Sequence, residues 1–271
     1  MVAAARAGGA VALAHFHRGV EVQIKADRSP VSVADREGEQ AIADVLTRAC
    51  PGHGYLGEEL GERGPVTRRF IVDPIDGTRN FVRGIGYWAV LVALEEDGVI
   101  TAGVIHQPVS GEVYRARRGR GAWLDDTPIR VSPVDDLAGA TLTHGTLKIL
   151  RRRGRWDAFV RLVDATRSQR GFGDYLGYAW LAAGRVEIAL GLNLKIWDLA
   201  APKIVIEEAG GRLTDLDGND SLTSGHALAT NGHLHDAVLS FLGGLPDGNN
   251  DADWPAAQPG SVTAFRRPGT E

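Results

Sequence analysis

Cysteine is almost missing from the sequence, since Cys50 is its single one among 271 residues. One cysteine forms no disulfide within the chain, and the zinc patterns built from cysteine need more than one. We therefore expect a reducing compartment, by default the cytoplasm.

Long apolar runs are also missing. The longest candidate, from Trp88 to Leu94, has the length of a β-strand and not of a membrane-spanning helix. Hydrophobic residues make up 44% and charged residues 24% of the chain, as in an ordinary globular protein. We expect no membrane partner, and the length suffices for one large core or two closely packed halves.

The chain has no excess of positive charge. Its 30 lysines and arginines against 34 acidic residues give a net charge of −4. Affinity for phosphate backbones rests on clustered basic residues, so we expect no nucleic acid partner. One basic cluster, Arg151-Arg152-Arg153 with Arg155, is interpreted as a solvated surface, and the alternative that it faces an anionic substrate or a partner subunit stays open.

Hydrophobic and turn patterns divide the chain into three parts. Residues 1–139 combine helical segments with strands joined by short turns, which predicts an antiparallel sheet because parallel strands need long connections. Residues 140–242 alternate strands and helices, as in a smaller α/β unit. Residues 243–271 are polar and rich in glycine and proline, so we expect a disordered tail.

The predicted strands cover residues 20–24, 70–72, 88–94, 99–105, 112–116, 129–131, 141–143, 186–190, 212–216 and 227–230. The predicted helical segments cover residues 12–16, 39–46, 156–166, 174–183, 199–209 and 235–242.

A run of acidic residues follows one predicted strand, and it reads Asp73-Pro74-Ile75-Asp76-Gly77-Thr78-Arg79-Asn80-Phe81. Asp73 closes the apolar strand, Pro74 stops it and Gly77 permits a tight turn. Two carboxylates and the carbonyl of Ile75 are therefore expected at the edge between a strand and a loop. Mg²⁺ prefers such oxygen ligands, so the run predicts a magnesium site.

Two further acids are candidates to complete this site, Glu58 in Gly57-Glu58-Glu59 and Asp198 in Trp197-Asp198-Leu199. Taken alone, Asp198 is better interpreted as the N-cap of a helix that ends before Gly210, and Glu58 as a solvated acid. Pro202 is compatible with that helix because its missing N–H would fall in the first turn.

Together these segments resemble the inositol monophosphatase family, whose motifs occur in the same order, and the resemblance covers residues 10–240. The segments that carry it are Lys25 with Ser29-Pro30-Val31-Ser32-Val33-Ala34-Asp35, Gly57-Glu58-Glu59, the run from Asp73 to Phe81, Trp197-Asp198-Leu199-Ala200-Ala201 and Glu208-Ala209-Gly210-Gly211. The resemblance implies an α+β / α/β fold, namely a layered α/β/α/β/α sandwich of the inositol monophosphatase and fructose-1,6-bisphosphatase type. It also implies a homodimer that hydrolyses a small phosphorylated substrate with Mg²⁺.

The resemblance further implies roles for individual residues. It assigns the ligands of the Mg²⁺ ions to Glu58, Asp73, the carbonyl of Ile75, Asp76 and Asp198. Asp35 and Thr78 would orient and help to deprotonate the attacking water, so that they and Glu58 are the expected catalytic residues. The N–H groups of Gly77 and Thr78 would bind phosphate oxygens, and Asp198 would also contact the substrate. No side-chain nucleophile is needed, and Cys50 has no role in this chemistry.

The segments Arg79-Asn80-Phe81-Val82-Arg83-Gly84 and Gly173-Asp174-Tyr175-Leu176-Gly177-Tyr178 resemble the histidinol-phosphate phosphatase branch of the family. The resemblance implies that Asp174 meets the cationic end of the substrate, with a helix N-cap as the equal alternative. Glu187 is a second expected substrate contact, at a position where the family usually has Asp.

Gly191 departs from the family pattern, which commonly has an acid at this position, six residues before Trp197. This departure leaves other substrates open: inositol 1-phosphate, a sugar bisphosphate or a nucleotide 3′-phosphate. Lys195 either favours a more anionic substrate or lies solvated at the surface. A metal-bound inactive paralogue is the alternative that is not an enzyme.

Overall fold

The computed structural model describes residues 1–18, 22–24, 30–152 and 154–242. The predicted tail, residues 243–271, lies outside the described residues, as do Lys25, Ser29 and Arg153 among the residues singled out above.

Helices and sheets alternate in layers. The helices of the described residues are α1 Val2–Arg18, α2 Val33–Ala49, α3 Thr78–Val82, α4 Lys148–Arg152, α5 Trp156–Ala165, α6 Asp174–Ala182, α7 Ile196–Glu208 and α8 His235–Leu242. Helices α1 and α2 cover the outer face of a first sheet, α6 and α7 lie between the two sheets, and α4, α5 and α8 cover the outer face of the second. The described part of the chain thus has the predicted α/β/α/β/α order.

The first sheet is a meander with one parallel pair. Its strands in the described residues are β3 Gly54–Gly57, β4 Gly61–Arg63, β5 Arg68–Asp76, β6 Ala89–Glu96, β7 Val99–His106, β8 Val113–Arg117, β9 Ala122–Leu124 and β10 Thr127–Ile129, and they are ordered β10-β9-β8-β7-β6-β5-β3-β4. The antiparallel pairing from β5 to β10 is confirmed. The parallel pair β3–β5 was not predicted, and it forms because β4 turns back along the outer edge of β3 before the chain returns on the other side.

Alternation along β5 explains how this sheet is covered on both faces. Phe70 and Val72 are buried with Ala5 and Ile42 of the outer helices, whereas Ile71 is buried with Leu199 of α7. Successive side chains of a strand point to opposite faces, so an uninterrupted apolar run is what a doubly covered strand requires.

The second sheet is mixed. Its strands in the described residues are β11 Thr141–His144, β12 Ser168–Arg170, β13 Ile188–Leu192, β14 Arg212–Thr214 and β15 His226–Thr230, ordered β12-β11-β13-β15-β14. Strand β11 runs parallel to β12 and β13, and β15 runs antiparallel to β13 and β14. A separate antiparallel hairpin pairs β1 Val22–Ile24 with β2 Pro30–Ser32.

Several predicted bounds need correction. Strand β13 begins two residues later than predicted, β10 ends at Ile129 where the predicted strand began, and α7 begins at Ile196 instead of Leu199. Pro202 therefore lies inside α7 and not in its first turn. Since proline has no N–H, the helical hydrogen bond from residue 202 to the carbonyl of Asp198 cannot form.

No helix within the described ranges is both long and apolar enough to cross a membrane. The division of the chain between residues 139 and 140 stays a prediction. One hydrophobic cluster contains residues from both sides of that boundary, including Leu91 and Leu199, so any such halves share a core.

Candidate active site

Strand β5 ends in a bulge that presents two carboxylates. Asp73 pairs with Leu91 and Asp76 with Ala89, and the register shifts between these pairs, where Pro74 offers no N–H. In a regular strand, residues three apart point to opposite faces. The bulge removes this alternation, as bulges near active sites commonly do.

Asp198 completes a cluster of three carboxylates with Asp73 and Asp76. One carboxylate oxygen from each of the three lies within 4.8 Å of the others. Asp198 is not the N-cap that its sequence context suggested, because α7 begins two residues before it. Its Oδ2 atom instead accepts the backbone N–H of Lys195 at 2.7 Å, which holds the first turn of α7 and orients the carboxylate.

The electrostatics of this cluster favour a cation. Burial, and then the negative charges of Glu58, Asp76 and Asp198, raise the pKa of Asp73 well above its usual range. Burial also raises the pKa of Asp198 to about 7, and its carboxyl group hydrogen-bonds that of Asp73. Carboxyl groups this close are stable only with a shared proton or a bound cation. An all-oxygen set of this kind fits Mg²⁺.

Ile75 and Glu58 line the same cavity as Asp73, Asp76 and Asp198. The N–H of Ile75 donates to Asp73 Oδ1 at 2.9 Å, which fixes the peptide that carries the carbonyl. Glu58 follows β3, whose parallel pairing with β5 sets it beside the acidic run. The structure therefore brings together all five residues that the resemblance names as metal ligands.

Glu39 is a site residue that the sequence reasoning missed. It lies on α2, is 0% exposed, and accepts N–H groups from Glu59 at 2.7 Å and Leu60 at 3.1 Å and the hydroxyl of Tyr55 at 3.2 Å. Burial raises its pKa to about 7, and these hydrogen bonds oppose the rise. Glu39 thus holds the turn that carries Glu58. Its position three residues before Ile42, on the buried face of the helix, is the signal that could have revealed it.

Asp35 and Thr78, the pair expected to orient the attacking water, each bond a near neighbour in the chain. Asp35 Oδ2 accepts both the N–H and the hydroxyl of Ser32 at 2.8 Å, which caps the start of α2. The hydroxyl of Thr78 donates to the carbonyl of Ile75 at 2.9 Å. Thr78 lines the cavity and Asp35 does not. Burial raises the pKa of Asp35 to about 7, and the negative charges of Glu59 and Glu58 add to this rise, so the joint role of Asp35 and Thr78 stays a prediction.

Gly77 and Asp174 lie next to each other, and both line the cavity. Gly77 has a φ of 91°, which permits the predicted tight turn into α3. A Cβ atom at Gly77 would lie 3.4 Å from Asp174 Oδ2.

The helix that starts at Asp174 has Gly173 as its N-cap, so Asp174 is not the N-cap. Asp174 has a φ of 55°, a left-handed conformation that is uncommon outside glycine. Its Oδ2 atom accepts the side-chain N–H of Asn80 at 3.2 Å. Desolvation by the surrounding walls raises the pKa of Asp174, and the charge of Arg79 opposes this. Asp174 therefore faces the cavity, as the substrate interpretation expects.

The cavity has a volume of about 790 Å³ and lies between the two sheets. Residues 143–146, residues 189–195 and Phe172 also line it. Arg152 and Lys195 also line it, which supports the alternative that positive charge faces an anionic substrate.

Glu187 and Gly191 have different surroundings, although both belong to the segment around β13. Glu187 is not brought to the cavity, because its carboxylate accepts the N–H of Thr141 at 2.6 Å and ties β11 to β13. Gly191 lines the cavity, and a Cβ atom there would collide with the hydroxyl of Tyr178. Tyr178 also lines the cavity, and the sequence reasoning missed it, although its spacing of four residues from Asp174 on one helix could have revealed it.

Comparisons with known proteins agree with this geometry. A sequence profile of the inositol monophosphatase family matches residues 1–243. A histidinol-phosphatase of Mycobacterium tuberculosis is 45% identical over 82% of this chain and 88% of its own length, and an inositol-1-monophosphatase of Mesorhizobium japonicum is 37% identical over 83% and 87%. The crystal structure of the extragenic suppressor protein suhB from Bartonella henselae superposes with a TM-score of 0.84 at 36% identity, covering 89% of this chain and 96% of that one.

Proposed function

The chain belongs to the inositol monophosphatase family, a family of phosphatases, and on this premise we propose that it is a Mg²⁺-dependent phosphomonoesterase that hydrolyses L-histidinol phosphate. The observation that carries the proposal is one cavity lined by the carboxylate cluster around Asp73 and, beside that cluster, by Asp174.

The cluster supports the metal part of the proposal. Glu58, Asp73, Asp76, Asp198 and the carbonyl of Ile75 would hold two or three Mg²⁺ ions. When bound, the ions supply positive charge that neutralises the phosphate ester, makes water more acidic and stabilises the departing oxygen.

Thr78 is proposed to orient the attacking water. Its hydroxyl hydrogen is directed to the carbonyl of Ile75, so its oxygen lone pairs can accept a hydrogen bond from water in the cavity. Asp35 is proposed to act indirectly, by holding Ser32 at the start of α2. The N–H groups of Gly77 and Thr78, at the start of α3, are proposed to bind phosphate oxygens.

Asp174 supports the choice of alcohol. The organic part of L-histidinol phosphate carries an amine and an imidazole, and both form charge-assisted hydrogen bonds with a carboxylate when protonated. Asp174 lies beside Gly77, where the phosphate end of the cavity begins. Among the relatives, the one from Mycobacterium tuberculosis, a histidinol-phosphatase, supports the same substrate.

A panel of phosphate esters tests the proposal. The purified protein is assayed for phosphate release with Mg²⁺ from L-histidinol phosphate, inositol 1-phosphate, fructose 1,6-bisphosphate and adenosine 3′,5′-bisphosphate. We expect the highest kcat/KM with L-histidinol phosphate. Faster turnover of any of the other three would overturn the substrate, and no turnover by a protein that binds Mg²⁺ would indicate an inactive paralogue.

We also propose a homodimer in the cytoplasm, on the family resemblance and the single cysteine. Light scattering on a sizing column measures the assembly directly, and a mass equal to one chain would contradict the dimer.

A further inference from the structure

Tyr178 has a hydroxyl that the fold leaves without a partner. The residue lies on α6 and is 3% exposed, and within the described residues its oxygen has no hydrogen bond. Buried hydroxyls are normally hydrogen-bonded, and leaving one unsatisfied costs free energy. Tyr178 lines the cavity, and because its hydroxyl oxygen is itself buried, a molecule in the cavity supplies the missing partner only when the wall beside the oxygen shifts to admit it.

Gly191 provides the space that this hydroxyl occupies. The nearest atom to a Cβ built at Gly191 is the hydroxyl oxygen of Tyr178, and the next is Cδ1 of Leu194 at 2.6 Å. Any side chain at position 191 would therefore displace the hydroxyl. The glycine and the tyrosine form one unit of the cavity wall.

The surroundings of the hydroxyl select a particular kind of partner. Burial, followed by the charges of Asp76, Asp198 and Asp174, raises the pKa of Tyr178, so the hydroxyl stays protonated. Asp174 lies one helical turn before Tyr178 on the same side of α6, and both line the cavity. Bound Mg²⁺ would neutralise Asp76 and Asp198, but Asp174 lies outside the proposed ligand set, and its charge favours a group that brings a hydrogen on nitrogen over an anion or an apolar group.

We propose that Tyr178 is a specificity-determining residue, whose hydroxyl hydrogen-bonds an amine or imidazole nitrogen in the organic part of the substrate, next to Asp174. This inference rests on the proposed function and names a contact within its site. The oxygen accepts from an N–H of the substrate, or the O–H donates to an unprotonated imidazole nitrogen.

The variant Y178F tests the contact. We expect kcat/KM for L-histidinol phosphate to fall at least about 10-fold, the loss of one hydrogen bond to a charged group, and kcat/KM for p-nitrophenyl phosphate to change less than about 2-fold. We expect the melting temperature not to fall, because the hydroxyl has no partner within the described fold. The matched control is Y114F, which removes a buried hydroxyl on β8 away from the cavity and is expected to leave the ratio of the two kcat/KM values unchanged.

A second variant tests the pairing with Gly191. G191A pushes the hydroxyl aside, so we expect it to lower kcat/KM for L-histidinol phosphate in the wild-type background. In the Y178F background the hydroxyl is absent, and we expect G191A to lower kcat/KM for L-histidinol phosphate much less than it does in the wild type. Additive losses would overturn the shared role of the two residues.

The inference about Tyr178 fails if Y178F lowers kcat/KM equally for L-histidinol phosphate and p-nitrophenyl phosphate, or changes neither value. The proposed function fails separately, at the wild-type stage, if L-histidinol phosphate is not hydrolysed. In that event Y178F is measured on the ester that the wild type prefers against p-nitrophenyl phosphate, and a loss confined to an ester that has no amine or imidazole would overturn the proposed contact with nitrogen.

Discussion

Asp76 connects the cation site to the start of α6, where Asp174 lines the cavity. Its carboxylate ends β5 and accepts the backbone N–H of Tyr175 in the first turn of α6, at 2.5 Å. Gly77 follows Asp76 in the chain, and Asp174 precedes Tyr175, so this hydrogen bond also brings Gly77 and Asp174 close together. Replacing Asp76 by asparagine is therefore expected to affect metal binding first. The amide oxygen can still accept the N–H of Tyr175, but the negative charge that attracts a cation is lost.

We predict that D76N lowers Mg²⁺-dependent phosphate release at least about 100-fold and weakens the rise in melting temperature that Mg²⁺ produces. Without Mg²⁺, the melting temperature should not fall, because the variant removes one of several buried carboxylates that repel one another. Calorimetry and a phosphate assay measure both effects.

The control for this variant is D126N. The carboxylate of Asp126 is exposed, and its Oδ1 atom lies 3.7 Å from a guanidinium nitrogen of Arg115. D126N should match the wild type in both measurements. Full activity of D76N would show that the metal assignment is wrong.

At the scale of single residues, the sequence identifies what is local. Asp73, Ile75 and Asp76 are neighbours in the chain, so their cation site could be predicted from a few letters. Helical spacing relates Glu39 to Ile42 and Tyr178 to Asp174, but it does not show what these side chains bond, because that depends on which groups surround them after folding. The joint role of Asp35 and Thr78 in orienting water stays a prediction, and the sequence did not reveal that Asp35 also caps α2.

Helix α2 acts at the scale of an element, because it carries a buried carboxylate to the turn after β3. Gln at position 39 keeps one acceptor but brings an N–H group toward the N–H groups of Glu59 and Leu60. We predict that E39Q loses about 2 kcal/mol in the free energy of unfolding, and that the Mg²⁺ concentration for half-maximal activity rises several-fold.

Chemical denaturation and a Mg²⁺ titration of both activity and melting temperature check this prediction. The matched control is E37Q on the same helix, where the side chain is 56% exposed and contacts His15. A destabilised E39Q with an unchanged Mg²⁺ requirement would limit Glu39 to a structural role.

Helix α8 is anchored by its first residue. His235 is buried, and its two ring nitrogens lie 2.9 Å from the Thr214 hydroxyl and 3.0 Å from the Thr230 hydroxyl, on β14 and β15. Burial lowers the pKa of His235 from 6.5 to about 4. The unfolded chain therefore takes up the proton first, and the free energy of unfolding falls as the pH decreases from 6.5 toward 4.

We predict that His235 alone lowers the free energy of unfolding by up to about 3 kcal/mol as the pH falls from 6.5 to 4, and that it has no such effect above pH 6.5. The measurement is denaturant unfolding of the wild type and of H235N at several pH values, with H233N as an exposed control. An equal pH dependence in the wild type and H235N would contradict the prediction.

Helices and strands could largely be predicted, because apolar periodicity reports directly on burial. Helix α8 was predicted with its observed bounds, 235–242. The parallel pairing of β3 with β5 could not be predicted, because it depends on the path of the chain after β4. The start of α7 was displaced by three residues, since the capping preference of Asp198 competed with a first turn that begins at Ile196.

At the scale of the molecule, the site exists because the two sheets face a common cavity. Asp73 and Asp76 come from the first sheet, and Asp198 comes from the helix packed between the sheets. Their approach could be expected only from the resemblance to a family with this layered fold, because no spacing in the sequence relates Asp76 to Asp198. The segment from Gly191 to Lys195 has no such guide, so the contact between Gly191 and Tyr178 emerged only from the structure.

The measurement that tests the central claim most directly is phosphate release from L-histidinol phosphate by the purified protein, first treated with EDTA and then titrated with Mg²⁺. The metal-free protein should release no phosphate above background, and activity should rise with Mg²⁺ to saturation. Equal release in EDTA, or no release from this ester at saturating Mg²⁺, would contradict the account.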